Sequence, residues 1–211
     1  MLKKILLPLL CSLLAMNILS TTQATELREG KQYSQLAVPV QDAPEVVEFF
    51  SFYCPPCAAF AGHYGVTRET EKVLPAGTQI VKYHVSTMGP LGKELTDAWS
   101  VARILGVESK VEIPLFEAVQ EKRSIKSKAD IRQVFIDAGV PAEQYDMAMN
   151  SLVARATTAT QIQAVEKYSV TGTPSFFVKG KYLIRNNGID SRTEDGYGLV
   201  FADVVRELLK K

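Results

Sequence analysis

The run Val46-Val47-Glu48-Phe49-Phe50-Ser51-Phe52-Tyr53 ends directly in Cys54-Pro55-Pro56-Cys57. The run is rich in β-branched and aromatic residues and reads as a largely buried strand. The two prolines behind it suit the first turn of a helix, where a missing N–H leaves no gap in the hydrogen-bond ladder. Two thiols three positions apart on such a turn describe a redox dithiol. The free N–H groups and the dipole of a helix N-terminus favour negative charge. Cys54 is therefore expected to ionise more easily than a free cysteine, whose pKa is about 8.5. From Ala58 through Arg68 no acidic side chain opposes that charge, and His63 and Arg68 add positive charge. Cys57 is placed to resolve a mixed disulfide formed at Cys54.

Two plainer readings compete with redox chemistry. A purely stabilising disulfide would gain little, because the loop it closes is very short. A zinc site would have to recruit His63 and His84 to the two cysteines, but the spacing matches no finger or ribbon and there is no second cysteine pair.

The N-terminus begins Met1-Leu2-Lys3-Lys4, continues apolar from Ile5 to Leu19, and reaches small residues at Ser20-Thr21-Thr22-Gln23-Ala24. This is the pattern of a signal peptide, with residues 1–24 removed on export and Cys11 lost with them. Loss of Lys3 and Lys4 reduces the 24 basic residues to 22 against 23 acidic ones, a net charge of about −1. So balanced a charge gives no broad field directed at nucleic acid or a membrane surface.

Glu45 to Tyr53 reads as a strand, Pro55 to about Leu74 as a helix, and Gln79 to Val85 as a second strand. That β-α-β order makes the two strands parallel. From Gly92 to about Tyr168 the spacing is helical, punctuated by capping signals at Ser127, at Gly139 with Pro141, and at Thr157 to Thr160. Ser175–Val178 and Lys181–Ile184 flank Lys179-Gly180 as a hairpin, and a last amphipathic helix runs from about Tyr197 to Leu209. The fold class is α/β: a mixed parallel and antiparallel sheet covered by helices, with a helical block inserted in one connection.

Several stretches together resemble the DsbA family of periplasmic disulfide oxidases. They are Gly30-Lys31-Gln32-Tyr33, Glu48 to Cys57, Lys82-Tyr83-His84-Val85, Leu91 to Trp99, Ile113-Pro114-Leu115-Phe116-Glu117 and Lys179-Gly180-Lys181-Tyr182. The likeness extends over nearly all of the chain after the leader, and the Pro-Pro dipeptide is most similar to the SrgA paralogues. The resemblance implies a thioredoxin-like domain formed by residues 25–88 and 169–211, with a helical insertion at 89–168. It implies a monomer that oxidises dithiols of unfolded or folding exported proteins, fimbrial or other secreted subunits among them. It further implies a membrane reoxidase of the DsbB type, no nucleic-acid partner, and no cofactor beyond the Cys54–Cys57 disulfide. Thr173-Pro174 would be a cis turn facing the cysteines, its backbone pairing with substrate, whereas from the residues alone Thr-Pro signals only a turn. Glu48 and Lys82 occupy positions the family uses for a buried charged pair, and both lie in otherwise apolar runs. A buried carboxylate near a forming thiolate can relay a proton; the simpler reading is an ordinary strand-to-strand ion pair.

The chain also departs from the pattern of the family it resembles. Pro56 stands where many DsbA proteins have a histidine that stabilises the thiolate, and Pro56 offers neither N–H nor charge. Thr173 replaces a frequent valine, and Glu194 falls where an apolar residue would line the peptide groove. A milder oxidant follows, with Cys54 ionising above the pKa of about 3.5 known for DsbA. Two further functions remain open at the level of sequence: a disulfide isomerase or reductase, and a redox-inactive chaperone for exported subunits.

Overall fold

The computed structural model describes residues 27–211; the expected leader at 1–24 lies outside the described residues. Among the described residues, β1 (Tyr33–Gln35), β2 (Val46–Phe50), β3 (Val81–His84), β4 (Ser175–Val178) and β5 (Tyr182–Ile184) form one sheet in the order β1-β5-β4-β2-β3. The interior strand β2 pairs in parallel with β3 and antiparallel with β4, which continues antiparallel to β5. The short edge strand β1 (Tyr33–Gln35), which carries no clear alternation in sequence, closes the sheet against β5. Every residue of β2 is buried, as a strand covered on both faces must be. Val46, Glu48 and Phe50 point to one face and Val47 and Phe49 to the other, through the two-residue period of the pleat.

The helix expected from Pro55 to Leu74 is two helices, α1 (Pro55–Ala61) and α2 (Val66–Glu71). Gly65 separates them in the left-handed region at φ 59°, a conformation that favours glycine. The inserted block comprises α3 (Gly92–Leu105), α4 (Glu108–Phe116), a π-turn at Glu117–Glu121, α5 (Lys128–Asp137), α6 (Ala142–Met149) and α7 (Leu152–Lys167). Ser127 caps α5 by accepting the Asp130 N–H at 3.3 Å. Thr157 to Thr160, expected to punctuate, lie within α7: their local preference for caps and turns is overridden because the α7 face carrying Thr158, Gln161 and Ala164 is buried. The last helix, α8 (Glu194–Leu209), starts earlier than Tyr197 because Thr193 caps it through the Gly196 N–H at 3.1 Å.

α1 and α8 cover the Val46 face of the sheet, with Phe60, Phe176, Val178, Phe201 and Val205 in one core. α7 covers the opposite face through Ala164, against Val47, Phe49 and Phe177. A third core joins the insertion to the cysteine region: Phe50, Phe52, Cys54, Cys57, Trp99, Leu115 and Phe116 pack together. Gly198 lets α8 approach the α1–α2 break, since a Cβ there would overlap the Tyr64 carbonyl oxygen. This packing fixes the start of α1 between the sheet and the inserted helices.

Candidate active site

Cys54 caps α1 from an extended conformation, and Cys57 follows on the first turn. The two are joined by a disulfide with their Cα atoms 5.3 Å apart. Cys54 retains 2% of its surface and Cys57 none, so only Cys54 meets solvent. With Pro55 and Pro56 lacking N–H groups, the first amide hydrogen of the helix is that of Cys57, which lies 3.2 Å from Cys54 Sγ. A single amide therefore faces the sulfur where most helices would offer two or three.

Three further segments hold the turn. The Thr173-Pro174 peptide is cis, and the Thr173 carbonyl oxygen stands 3.4 Å from Cys54 Sγ. Asn186 donates to the Pro174 carbonyl at 2.7 Å, and Tyr197 donates to the Asn186 carbonyl at 2.9 Å. From the π-turn, Gln120 donates to the carbonyls of Phe52 at 2.8 Å and Cys54 at 3.1 Å. A groove of about 620 Å³ opens beside the disulfide, lined by Pro56, Phe60, Thr173, Pro174, Asn186 and Tyr197 among others. Its rim carries Glu194, paired with His63 Nε2 at 2.6 Å, both side chains exposed.

The histidines recruited by the zinc reading have other partners. Buried His84 accepts the Phe52 N–H at Nε2 (3.1 Å), which places its proton on Nδ1, 2.8 Å from Thr96 Oγ1. Burial alone drives its pKa down to about 3. His63 sits on the surface with Glu194, away from His84's buried network.

Beneath the site, Glu48 and Lys82 are cross-strand partners in the β2–β3 register, with Nζ 2.9 Å from Glu48 Oε2. A third member was not singled out from sequence: Glu112 of α4 accepts a short hydrogen bond from Lys82. Its only sequence signal is a lone charge inside Val111-Glu112-Ile113-Pro114-Leu115. Burial raises Glu48 to about 7, opposed by Lys82 and reinforced by Glu112. Burial opposes the charge of Lys82 as well, but Glu48 and Glu112 outweigh it and hold the ammonium charged. Lys82 Nζ lies 5.4 Å from the Phe50 ring, and Phe50 shares a core with Cys57, so this buried cluster lies on the disulfide's side of the sheet.

A dithiol on a strand-to-helix turn, faced by a cis-proline loop, is the geometry of a thioredoxin-type redox centre. Residues 45–193 match the DSBA-like thioredoxin domain. The chain belongs to the DsbA family. It is 47% identical over 200 residues to the thiol:disulfide interchange protein DsbA of Salmonella typhimurium, covering 95% of this chain and 97% of that protein. A DsbA structure from Proteus mirabilis with a non-covalently bound peptide superposes with a TM-score of 0.85 at 47% identity, over 88% of this chain and all of that one. SrgA of Salmonella enterica serovar Typhimurium gives a TM-score of 0.80 at 41% identity, over 84% of this chain and 99% of that one. The chain is thus a DsbA-like thiol-disulfide oxidoreductase with the thioredoxin fold and helical insertion read from its sequence.

Proposed function

We propose that this DsbA-family protein works in the periplasm as an oxidase, handing its Cys54–Cys57 disulfide to proteins newly arrived there. The observation that carries this is the asymmetry of the disulfide: Cys54 keeps a trace of exposed surface, next to the groove-lining Pro56, Thr173 and Pro174, and Cys57 keeps none. A substrate thiolate attacks Cys54 Sγ, the Cys54–Cys57 bond breaks, and its electron pair leaves on Cys57 Sγ, which takes up a proton. A second substrate thiol loses its proton and attacks the substrate sulfur of the mixed disulfide, and Cys54 departs as a thiolate. The substrate has then lost two electrons and the protein has become a dithiol. Returning it to the disulfide requires an electron acceptor, for which a quinone-linked membrane partner of the DsbB type is the family's solution.

In this reading Pro55 and Pro56 shape the turn and leave the Cys57 N–H as the main amide facing the anion. Thr173 and Pro174 present backbone to an extended substrate segment, a role supported by the cis turn that brings the Thr173 carbonyl to Cys54 Sγ. Glu48, with Lys82 beside it, exchanges the proton that Cys57 gains and loses.

Incubating oxidised protein with a reduced, denatured client tests this: one client disulfide should form per protein consumed, without later shuffling. Cys57→Ala should hold clients covalently on Cys54. Repair of scrambled disulfides without net oxidation would support an isomerase instead, and full activity of Cys54→Ala would support a redox-inactive chaperone.

A further inference from the structure

The buried cluster between β2, β3, α2 and α4 holds one cation between two carboxyl groups. Lys82 of β3 directs aligned N–H bonds to Glu112 of α4 and, at 3.3 Å, to the neutral Thr67 hydroxyl of α2. Glu48 of β2 receives the charge of Lys82 at 2.9 Å, yet among the described residues its Oε2 has no aligned hydrogen-bond donor. The solvent-exposed Glu71 of α2 is within electrostatic reach of Lys82 and Glu112 but is not bonded to either. The side chains of Glu48, Lys82 and Glu112 are 1%, 9% and 12% exposed, so water reaches the cluster at the Glu112 end and Glu48 is its closed end.

A Glu48–Lys82 pair alone would be neutral with both groups ionised and would have no proton to give near pH 7. A second carboxylate changes that count. The three groups are neutral only when one carboxyl is protonated, and a buried site of low dielectric disfavours the net negative alternative. The proton settles where the ammonium's hydrogen bonds do not point, which is Glu48.

We propose that Glu112 is a positioning residue for the thiol-disulfide reaction: by taking the aligned N–H of Lys82 it leaves Glu48 holding the one proton the three groups share. This inference rests on the proton-exchanging role proposed above for Glu48 and adds to it the reason Glu48 has a proton to exchange. The protein's own insertion supplies that reason, since Glu112 stands on α4, outside the sheet that carries the other two.

The test is a pH titration of the Glu48 carboxyl carbon by NMR in the full oxidised protein, for the natural sequence, Glu48→Gln and Glu112→Gln. The natural protein should show one carboxyl with a midpoint in the neutral range, and Glu48→Gln should abolish it. Glu112→Gln should move that midpoint toward acid by at least about one pH unit, because Lys82 then turns fully to Glu48. A merely structural Glu112 would lower the melting temperature and leave the midpoint in place, which would overturn the proposal. If the neutral-range signal survives Glu48→Gln, Glu48 is not the proton carrier, and the reading on which this inference rests fails with it. If the signal belongs to Glu48 but ignores Glu112→Gln, only the role of Glu112 fails. Glu112→Ser provides the same comparison should the amide not be accommodated.

Discussion

The imidazole of His84, at the end of β3, accepts the backbone N–H of Phe52 at 3.1 Å and so ties the last turn before Cys54 to the neighbouring strand. The backbone N–H of His84 donates in turn to Gln161 of α7 at 2.8 Å, and Gln161 donates to Thr96 and Ser100 of α3. A neutral imidazole is thus built into the frame that holds the disulfide. Protonating it would destroy the acceptor that Phe52 uses.

The pKa of His84 is depressed to about 3 in the folded protein, against about 6.5 when unfolded. The folded state then binds fewer protons between these values, so the stability from neutral His84 is present above about pH 6.5 and is lost as pH falls toward 3. Urea denaturation of oxidised protein should show the natural sequence losing about 1.4 kcal/mol per pH unit more than His84→Gln between pH 6 and pH 4. Parallel pH profiles for the two proteins would contradict this.

Glu48 has the opposite sign. Its folded pKa of about 7 exceeds the ordinary carboxylate value of 4.5, so its contribution is complete below about pH 4.5 and is lost as pH rises through about 7. Glu48→Gln, which cannot ionise, should be spared that loss. Between pH 5 and pH 8 its stability should fall less than that of the natural protein, by up to about 3 kcal/mol, measured by denaturant melts of the oxidised form.

Gln120 satisfies two carbonyls at the mouth of the site, those of Phe52 and Cys54. Gln120→Ala strands both oxygens near a closed core. A cost of about 1–3 kcal/mol in equilibrium unfolding is expected, with faster exchange of the Cys54 amide hydrogen. Unchanged protection would show that the π-turn does not restrain the cysteine loop.

The amide facing Cys54 Sγ is that of Cys57, because two prolines precede it. Pro56→His restores a second N–H and adds a titratable cation beside the sulfur. Both favour the thiolate, hence the reduced form, and should raise the reduction potential by about 30 mV or more in a glutathione titration, where 30 mV corresponds to about 1.4 kcal/mol. The same argument makes the reduced protein melt above the oxidised one at neutral pH, the difference widening in Pro56→His. A potential for the natural sequence as low as thioredoxin's, about −270 mV, would contradict the assignment of an oxidant.

Local chemistry was enough to place the dithiol, the parallel β2–β3 pair and the β4–β5 hairpin. The apolar run from Val46 reads as a covered strand, although the strand stops at Phe50 and Ser51 to Tyr53 turn toward α1, and the short link 179–181 returns antiparallel with Val178 opposite Tyr182. The break at Gly65 escaped because one glycine within helical spacing is tolerated in many helices; here α1 closes at Ala61, the chain turns through Gly65 in the left-handed region, and Gly198 lets α8 pack against that turn. β1 escaped because three residues carry too little periodicity to register.

The residue types that do the sulfur chemistry, and the turn that presents them, were determined by neighbours in sequence, since capping, proline geometry and strand period act over a few residues. What surrounds Cys54 was decided by tertiary structure alone. The Thr173 carbonyl meets it from 119 residues away, Gln120 from 66, and Glu112 reaches Lys82 from 30. Such meetings depend on how the inserted helices seat against the sheet, a collective result of packing volume that no short window of sequence contains.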